Sequence, residues 1–333
     1  MSAETTERPG ESLGGFKDAR TYRQEALSAR SYGKALLAEA MADERIVCLG
    51  ADLTQPTETY LFRDQIPERY FMLGIQEANM VGVAAGMART GQIAFAHSFC
   101  VFITRRVYDQ VAMQAAYPKL PVKLVGFIPG LATALGVSHQ AIDDVALMRA
   151  LPNMAVIEPA GPEQIAAAVR ATIEYDGPVY LRMVIAGGRP DESVPLMPLT
   201  LGKGQVLREG ADVAILASGM MVKPALAAAE QLAARGVGAT VANFASLKRF
   251  DRELVCELAR RHRVLVTAEN HSVIGGLGSA TAETLALAGL SPRFGMIGVQ
   301  DVFAEGGTTP YLMSRYGLTA DHIAEKAIAL GAT

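Results

Sequence analysis

Residues 71–89 read FMLGIQEANMVGVAAGMAR, a strand end followed by a helix, and this stretch indicates the fold class. Residues 71–73 are apolar and end a strand, while the segment from Glu77 onward is a helix that is apolar nearly all round, which predicts burial. Glu77 would then stand at the start of a core helix and at the carboxyl end of a strand, where ligands collect in open α/β sheets. A carboxylate at a helix start also has a purely structural role, because it complements the helix dipole or caps a free N–H.

Short apolar strands and longer helices alternate on both sides of this stretch. Strands are predicted at Ile46–Gly50, Ile93–Ala96, Val122–Ile128, Ala155–Glu158 and Val179–Met183. Helices are predicted at Tyr32–Met41, Glu77–Arg89, Arg106–Ala116, Asp143–Leu151 and Pro162–Tyr175. Repeated βα units whose strands are apolar on both faces predict a mostly parallel sheet covered by helices.

Residues 188–204 contain three prolines and no periodic pattern, which predicts an interdomain linker. Beyond it the alternation resumes. Strands are predicted at Ala211–Leu216, Ala239–Asn243, Val264–Thr267 and Gly295–Val299, and helices at Pro224–Arg235, Arg252–Arg261, Gly278–Leu287 and Asp321–Leu330. The predicted fold is therefore α/β, with two doubly wound domains over residues 19–187 and 205–333. Residues 1–18 are polar and predict a disordered extension without a signal peptide.

Composition excludes several classes of function. A formal net charge of −3 gives no electrostatic reason to expect nucleic acid or an anionic membrane as partner. No apolar run approaches the ~20 residues that span a bilayer. The three cysteines (Cys48, Cys100 and Cys256) have no metal-type spacing, which favours buried reduced thiols in a cytoplasmic protein. No residues of this chain are predicted to bind a metal.

Two further segments of the first domain could carry chemistry. Residues 96–106 read AHSFCVFITRR, in which Phe99 and Phe102 would share a helix face as an aromatic wall or as ordinary core. Arg105 and Arg106 beside that wall would need a carboxylate or phosphate partner. Residues 135–144 read LGVSHQAIDD, and His139 on this loop could contact a substrate, transfer a proton or simply be solvated.

Six short motifs, in order and spacing, together carry a family resemblance that none carries alone. They are GADLT (50–54), GIQE (74–77), SFCVF with YDQ (98–102 and 108–110), SHQ (138–140), ENHS with GGLG (269–272 and 275–278) and FAEGG (303–307). The chain from about residue 30 to its end resembles the pyrimidine-binding domain of transketolases followed by their C-terminal domain. No GxGxxG after a strand, GxxxxGK[ST], HExxH or GxSxG motif points elsewhere.

The resemblance implies a thiamine diphosphate enzyme and assigns roles to particular residues. Glu77 would hydrogen-bond N1′ of the cofactor's pyrimidine and so activate it, and in a nearly apolar pocket that carboxylate would have few other partners. The other cofactor contacts implied are Asp52, Leu53, Ile75, Phe99, Phe102 and Arg105. His139 would contact the sugar and take part in catalysis, and Arg182 would bind a substrate phosphate.

Transketolases hold the diphosphate through a GDG motif that helps to ligate Mg²⁺, and this sequence contains no GDG. A hard cation that bridges phosphates needs such oxygen ligands. The resemblance therefore implies a partner subunit that carries the diphosphate-binding domain and supplies the Mg²⁺ ligands. The expected assembly is a two-fold-symmetric α2β2 heterotetramer with its active site at the interface between chains.

Departures from the family pattern bear on the substrate. Leu135 stands where sugar-phosphate transketolases usually have an aspartate that binds a sugar hydroxyl. Pro56 replaces a phosphate-contacting serine, and Arg105 replaces a third aromatic residue. Because a buried hydroxyl partner gives large discrimination, the expected substrate is a sugar or sugar phosphate other than the ordinary pentose phosphate pair.

Alternative interpretations remain open from the sequence. The β subunit of a 2-oxoacid dehydrogenase-type decarboxylase shares the architecture and the activating glutamate. A 1-deoxyxylulose-5-phosphate synthase-like enzyme shares the SHQ loop and the FAEGGT segment. A non-catalytic subunit could have kept the fold, although retention of Glu77, Phe99, Phe102 and His139 argues against it.

Overall fold

The computed structural model describes residues 31–184 and 196–332. The predicted extension over residues 1–18 and the first part of the predicted linker lie outside the described residues, while residues 196–204 form neither helix nor strand. Among the described residues, no helix is both long and apolar enough to cross a membrane.

The first domain alternates strands and helices, as the sequence predicts. Its strands are β1 (Ile46–Gly50), β2 (Tyr70–Met72), β3 (Ile93–Phe99), β4 (Val122–Phe127), β5 (Ala155–Ile157) and β6 (Val179–Met183). Its helices are α1 (Ser31–Ala42), α2 (Tyr60–Gln65), α3 (Glu77–Arg89), α4 (Cys100–Ile103), α5 (Tyr108–Gln110), α6 (Asp144–Ala150) and α7 (Pro162–Glu174).

The first sheet has seven strands, and one of them comes from the second domain. β10 (Ser246–Lys248) pairs antiparallel with β5, and the strand order is β10-β5-β6-β4-β3-β1-β2. The other six strands run parallel. The apolar end of a strand predicted at residues 71–73 is β2. Sequence patterns did not predict β10, because three residues are too few to show a strand periodicity. The added strand joins the two domains through backbone hydrogen bonds.

The second domain forms a five-stranded sheet in the order β12-β11-β8-β9-β7. Its strands are β7 (Gln205–Arg208), β8 (Val213–Ala217), β9 (Ala239–Asn243), β11 (Val264–Ser272) and β12 (Arg293–Val299), with β7 antiparallel to β9. Its helices are α8 (Val222–Ala233), α9 (Arg252–Arg261), α10 (Leu277–Leu287), α11 (Thr309–Arg315) and α12 (Ala320–Ala329). The predicted α/β class with two domains is confirmed. All three cysteines are free thiols; Cys48 and Cys100 are buried and Cys256 is half-buried.

Two helix predictions need correction. The helix predicted at Arg106–Ala116 is a 3₁₀ turn (Arg105–Val107), then α5, then a π-helical segment (Val111–Ala116). Thr104 separates this segment from α4, and its hydroxyl donates to the Cys100 carbonyl at 2.6 Å, which competes with regular helix bonding there. Helix α3 is buried on one side only: Ala78, Asn79 and Gly86 are exposed, and its large apolar residues Met80 and Val81 are buried.

Candidate active site

The site lies at the carboxyl ends of neighbouring parallel strands. β3 is hydrogen-bonded to β1 on one side and to β4 on the other, and β2 lies beyond β1. The segments that follow β1, β2, β3 and β4 therefore emerge at one edge of the sheet. They carry Asp52, Glu77, Phe102 and His139 respectively. This is the edge at which open α/β sheets bind ligands.

Glu77 begins α3 and is a buried carboxylate, only 2% exposed. Its Oε1 accepts a hydrogen bond from the hydroxyl of Ser98, at the end of β3, at 3.0 Å. Its Oε2 accepts from the guanidinium of Arg106 at 2.8 Å. The expectation that Glu77 has few other partners is therefore wrong for this chain, because both of its oxygens are engaged. The Arg106 side chain is 45% exposed, so Glu77 is linked to the open side of the site through a solvated cation.

Phe99 and Phe102 form a wall beside this carboxylate. Their ring centroids are 6.1 Å apart and their planes are tilted by 35°. Phe99 is 9% exposed and Phe102 is half-buried. The guanidinium carbon of Arg106 lies 4.0 Å from the centroid of Phe102, so this planar cation covers one face of the ring. A second aromatic ring can occupy that face only after Arg106 has moved.

His139 closes the other side of the wall. It ends a 3₁₀ turn (Val137–His139), and its ring centroid lies 5.2 Å from that of Phe102 and 6.0 Å from that of Phe99, edge-on in both cases. Partial burial and the nearby Arg106 cation lower the pKa of His139 below its ordinary value. His139 is therefore held mainly neutral near pH 7, a form that can accept a proton or hydrogen-bond a hydroxyl.

Other predicted site residues lie outside this cluster. Asp52 is exposed, Leu53 packs against the core cluster of the first sheet, and Ile75 is 67% exposed on the turn before Glu77. Arg105 makes a two-pronged ion pair with Asp143 at 2.9 and 2.7 Å on the rim of the site, and not with Glu77. The prediction that the two arginines need a carboxylate or phosphate partner is confirmed, because both pair with carboxylates, and it is Arg106 that reaches the buried one.

Arg182 does not reach the site. It lies on β6, and its side chain has no exposed surface. It donates to Asp144 at 2.7 and 3.1 Å and to Glu158 at 2.5 Å. The remaining bonds go to the carbonyls of Ala141 and Asn270. The predicted phosphate-binding role needs an accessible guanidinium, so the structure does not support that role. The reason is that two acidic residues, distant in sequence, converge on this arginine.

The arrangement fits one half of the expected cofactor. A heteroaromatic ring with a basic nitrogen needs a carboxylate and an apolar wall, and Glu77 with Phe99 and Phe102 supplies both. Within residues 31–184 and 196–332, no group of three His, Cys, Asp or Glu side chains could hold a metal ion. The described residues thus suit the ring of thiamine diphosphate.

Sequence reasoning missed the roles of two site residues. Ser98 was part of a motif without a role of its own, and Arg106 was noted only for needing an anionic partner. Both contact Glu77, and they lie 21 and 29 residues after it in the sequence. The usable signal was the adjacent pair Arg105–Arg106 next to an aromatic wall.

Comparisons with known proteins agree on the two halves of the chain. A family model described as the transketolase pyrimidine-binding domain matches residues 26–184, and one described as the transketolase C-terminal domain matches residues 202–323. The 6-deoxy-6-sulfo-D-fructose transketolase subunit SqwH of Clostridium sp. (strain MSTE9) is 46% identical over 300 residues, which are 89% of this chain and 92% of that protein. The putative transketolase C-terminal section of Methanocaldococcus jannaschii is 39% identical over 303 residues, 89% of this chain and 94% of that protein.

A longer relative and two solved structures extend the comparison. The 1-deoxy-D-xylulose-5-phosphate synthase of Desulforudis audaxviator is 35% identical over 300 residues, but these are only 47% of its length. A structure described as a split gene transketolase, inactive beta4 tetramer, has a TM-score of 0.82 at 45% identity, covering 90% of this chain and 98% of that one. The transketolase of Campylobacter jejuni shares the fold, with a TM-score of 0.77 at 20% identity, and 46% of that chain is covered.

Proposed function

Because the chain belongs to the transketolase family, we propose that it is the C-terminal subunit of a split, thiamine-diphosphate-dependent transketolase. The reaction is the transfer of a two-carbon ketol unit from a ketose or ketose phosphate to an aldehyde. The observation that carries the proposal is the buried Glu77 carboxylate beside the wall of Phe99 and Phe102. The family predicted from the motifs is confirmed.

The chain's own residues prepare and enclose the reaction. When bound, thiamine diphosphate supplies the nucleophilic carbon that attacks the ketose carbonyl. Glu77 would hold the pyrimidine N1′ of the cofactor by a hydrogen bond, and Ser98, which donates to Glu77, would orient the carboxylate for it. Arg106, which now contacts Glu77 and covers the face of Phe102, would have to release both to admit the ring. His139, held mainly neutral, hydrogen-bonds a hydroxyl of the sugar. Asp52, Leu53 and Ile75, at the same sheet edge, are proposed cofactor contacts, and Arg105 a contact at the rim.

A partner subunit completes the site. The described residues offer no metal cluster, and the sequence has no GDG motif. The proposal is therefore that a partner chain with the diphosphate-binding domain supplies the Mg²⁺ ligands, in an α2β2 assembly. Two relatives named as a transketolase subunit and as a transketolase C-terminal section, each matched over most of its length, support a two-chain enzyme. The related structure described as an inactive beta4 tetramer supports the need for a second kind of chain.

Calorimetry with thiamine diphosphate and Mg²⁺ tests the partner requirement. We expect no measurable binding to this chain alone, since Glu77 and the aromatic wall contact only the ring, and binding once the co-purifying partner chain is added. Tight binding by this chain alone would show that the partner is not needed for the diphosphate. Failure of the assembled pair to bind would instead favour a non-catalytic subunit.

The donor is proposed to differ from the ordinary pentose phosphates. Leu135 lies on the loop that carries His139 and is 52% exposed. By the family resemblance, this apolar side chain takes the place of an aspartate that binds a sugar hydroxyl in sugar-phosphate transketolases. The relative at 46% identity is named for 6-deoxy-6-sulfo-D-fructose, a ketose with a charged group at its far end. That compound is the first alternative donor for this chain.

Competition assays with one aldehyde acceptor, ribose 5-phosphate, separate these donors. We expect xylulose 5-phosphate to be a poorer donor than 6-deoxy-6-sulfo-D-fructose for the assembled pair. Leu135→Asp should shift the ratio of the two kcat/KM values toward xylulose 5-phosphate by about 10-fold or more, because sites that bind a hydroxyl discriminate strongly. Leu135→Asn is the matched variant, which adds a polar group of the same size without charge. Turnover of xylulose 5-phosphate and ribose 5-phosphate at full transketolase rates by the unaltered pair would refute the proposal.

A further inference from the structure

His139 stands on a long connection that has little structure of its own. The segment 128–143 links β4 to α6 and contains only the 3₁₀ turn at Val137–His139. A connection of this length would lose much conformational entropy on being ordered, so other parts of the protein have to hold it in place. The position of His139 against Phe102 therefore depends on what restrains residues 128–143, the His139 loop.

The second domain holds the base of the His139 loop through one side chain. Asn270, on β11, is 1% exposed and faces the point where the loop begins. Its Oδ1 accepts the N–H of Leu131 at 2.9 Å, and its Nδ2 donates to the carbonyl of Pro129 at 3.0 Å. One amide thus satisfies a donor and an acceptor of the loop backbone.

Backbone geometry shows that this fit is tight. Gly130, between the two bonded residues, has φ +52°, and a Cβ at this position would collide with the carbonyl oxygen of Asn270. Its N–H donates to Ala141 at the far end of the loop at 3.0 Å, which closes the loop at its base. Only glycine meets both the positive φ and the close approach.

Apolar packing and two more hydrogen bonds tie the loop to the same domain. Leu131 and Ile142 are buried within the core cluster of the second sheet, although they belong to the first domain by sequence. The carbonyl of Ile142 accepts the N–H of Ser272 at 2.8 Å. Gln140, next to His139, donates to the carbonyl of Glu305 at 2.9 Å.

From these contacts we propose that Asn270 is a positioning residue: through the His139 loop, the C-terminal domain sets the place of His139 over the aromatic wall. Asn270 itself touches neither Glu77 nor the wall in the described residues. Asn270 therefore contributes geometry to the site and not a reacting group. The effect on turnover rests on the proposed function, whereas the restraint on the loop does not.

Asn270→Ala tests the restraint in the full chain without any assay of activity. We expect hydrogen–deuterium exchange over residues 129–142 to rise by at least about 10-fold, since a local opening of little over 1 kcal/mol changes exchange by that factor. The NMR-measured pKa of His139 should rise toward its ordinary value, because the ring leaves the surface and the Arg106 cation that lower it. A His139→Gln variant identifies the resonance.

The matched control is Asn243→Ala. Asn243 is also a buried asparagine of the second domain, 1% exposed, and it also bonds to the first domain, donating to Gln164 at 3.1 Å. It does not contact the His139 loop. If Asn243→Ala loosens that loop as much as Asn270→Ala does, or if neither variant does, the proposal is wrong. Should Asn270→Ala fail to fold, Asn270→Asp keeps the acceptor for Leu131 and removes only the donor to Pro129.

Kinetics of the assembled pair then test the consequence. Asn270→Ala should raise the KM of the ketose or lower kcat by about 10- to 100-fold, the cost of a small misplacement of a site group. Exchange of the cofactor C2 proton, which depends on Glu77, should stay unchanged. In a His139→Ala background, Asn270→Ala should add little, because its action passes through His139; additive losses would overturn the proposal. Absence of turnover in the unaltered pair would contradict the proposed function and leave the loop result standing.

Discussion

Glu77→Gln is expected to slow exchange of the C2 proton of bound thiamine diphosphate by about 10²- to 10⁴-fold, the range for loss of a positioned acid–base group. The amide keeps the size of the side chain and an oxygen that can accept from Ser98 or Arg106. It has no negative charge, however, to hold a proton at the pyrimidine N1′. Proton NMR of the assembled pair after transfer into D₂O measures the exchange rate directly.

The control for this variant is Glu68→Gln. Glu68 is exposed in the turn Pro67–Arg69, so removing its charge should leave exchange at the unaltered rate. Calorimetry on the same samples shows whether the cofactor remains bound. Normal binding with slow exchange supports activation by Glu77; normal binding with normal exchange would remove Glu77 from the mechanism.

Arg182→Met is expected to lower the free energy of unfolding by about 3–5 kcal/mol, the usual cost of removing one partner from a buried ion pair. Methionine fills similar space but leaves Asp144 and Glu158 as carboxylates with almost no solvent contact. Tyr180 still donates to Asp144 at 2.6 Å, which offsets part of the loss. Urea unfolding followed by circular dichroism gives the difference.

The effect of Arg182→Met should depend on pH with a definite sign. Burial alone would raise the pKa of Asp144, but Arg182 holds that pKa below its ordinary value. In the native protein this carboxylate thus adds stability that is present above its ordinary pKa and lost as the pH falls through its lowered one. In the variant, where Arg182 is absent, burial raises the pKa of Asp144. Protonation of Asp144 then removes an unpaired buried charge and lessens the loss of stability. Its deficit at pH 7 should therefore shrink toward pH 5.

Two variants separate the buried network from a general loss of charge. Arg170→Met removes an exposed arginine, 65% accessible, that pairs with Glu39, and should change stability by no more than about 1 kcal/mol. Adding Asp144→Asn and Glu158→Gln to Arg182→Met should restore part of the loss. If Arg170→Met and Arg182→Met destabilise equally, the buried ion pairs contribute nothing beyond a surface pair.

Much of the fold was predictable because its determinants are local. β1, β6, β9, α3 and α9 have the bounds that periodicity predicted, since side chains repeat every two residues in a strand and about every 3.6 in a helix. Elements formed by few residues were missed. β10 has three residues, and its pairing with β5 depends on a chain segment about ninety residues away.

The site divides in the same way. Glu77, Phe99 and Phe102 were placed correctly at one sheet edge, because their motifs lie directly at a strand end or helix start. The roles of the arginines were not predictable. Arg106 pairs with Glu77 and Arg105 with Asp143 on the rim, and both partners are distant in sequence. Arg182 falls between two carboxylates that only folding brings together.

The sequence by itself determined the α/β class and the glutamate at the start of α3, because each depends on residues close together along the chain. It also determined the family, because the motifs that carry the resemblance are short and follow one another in a fixed order. The tertiary structure decided which charges pair, which side chains stay accessible and what holds the loop that carries His139. These depend on burial and on contacts such as that between Asn270 and Leu131, 139 residues apart. The free energy of these contacts depends on how far each group is removed from water and on how closely residues distant in sequence approach one another. The order of residues along the chain gives no direct signal for either.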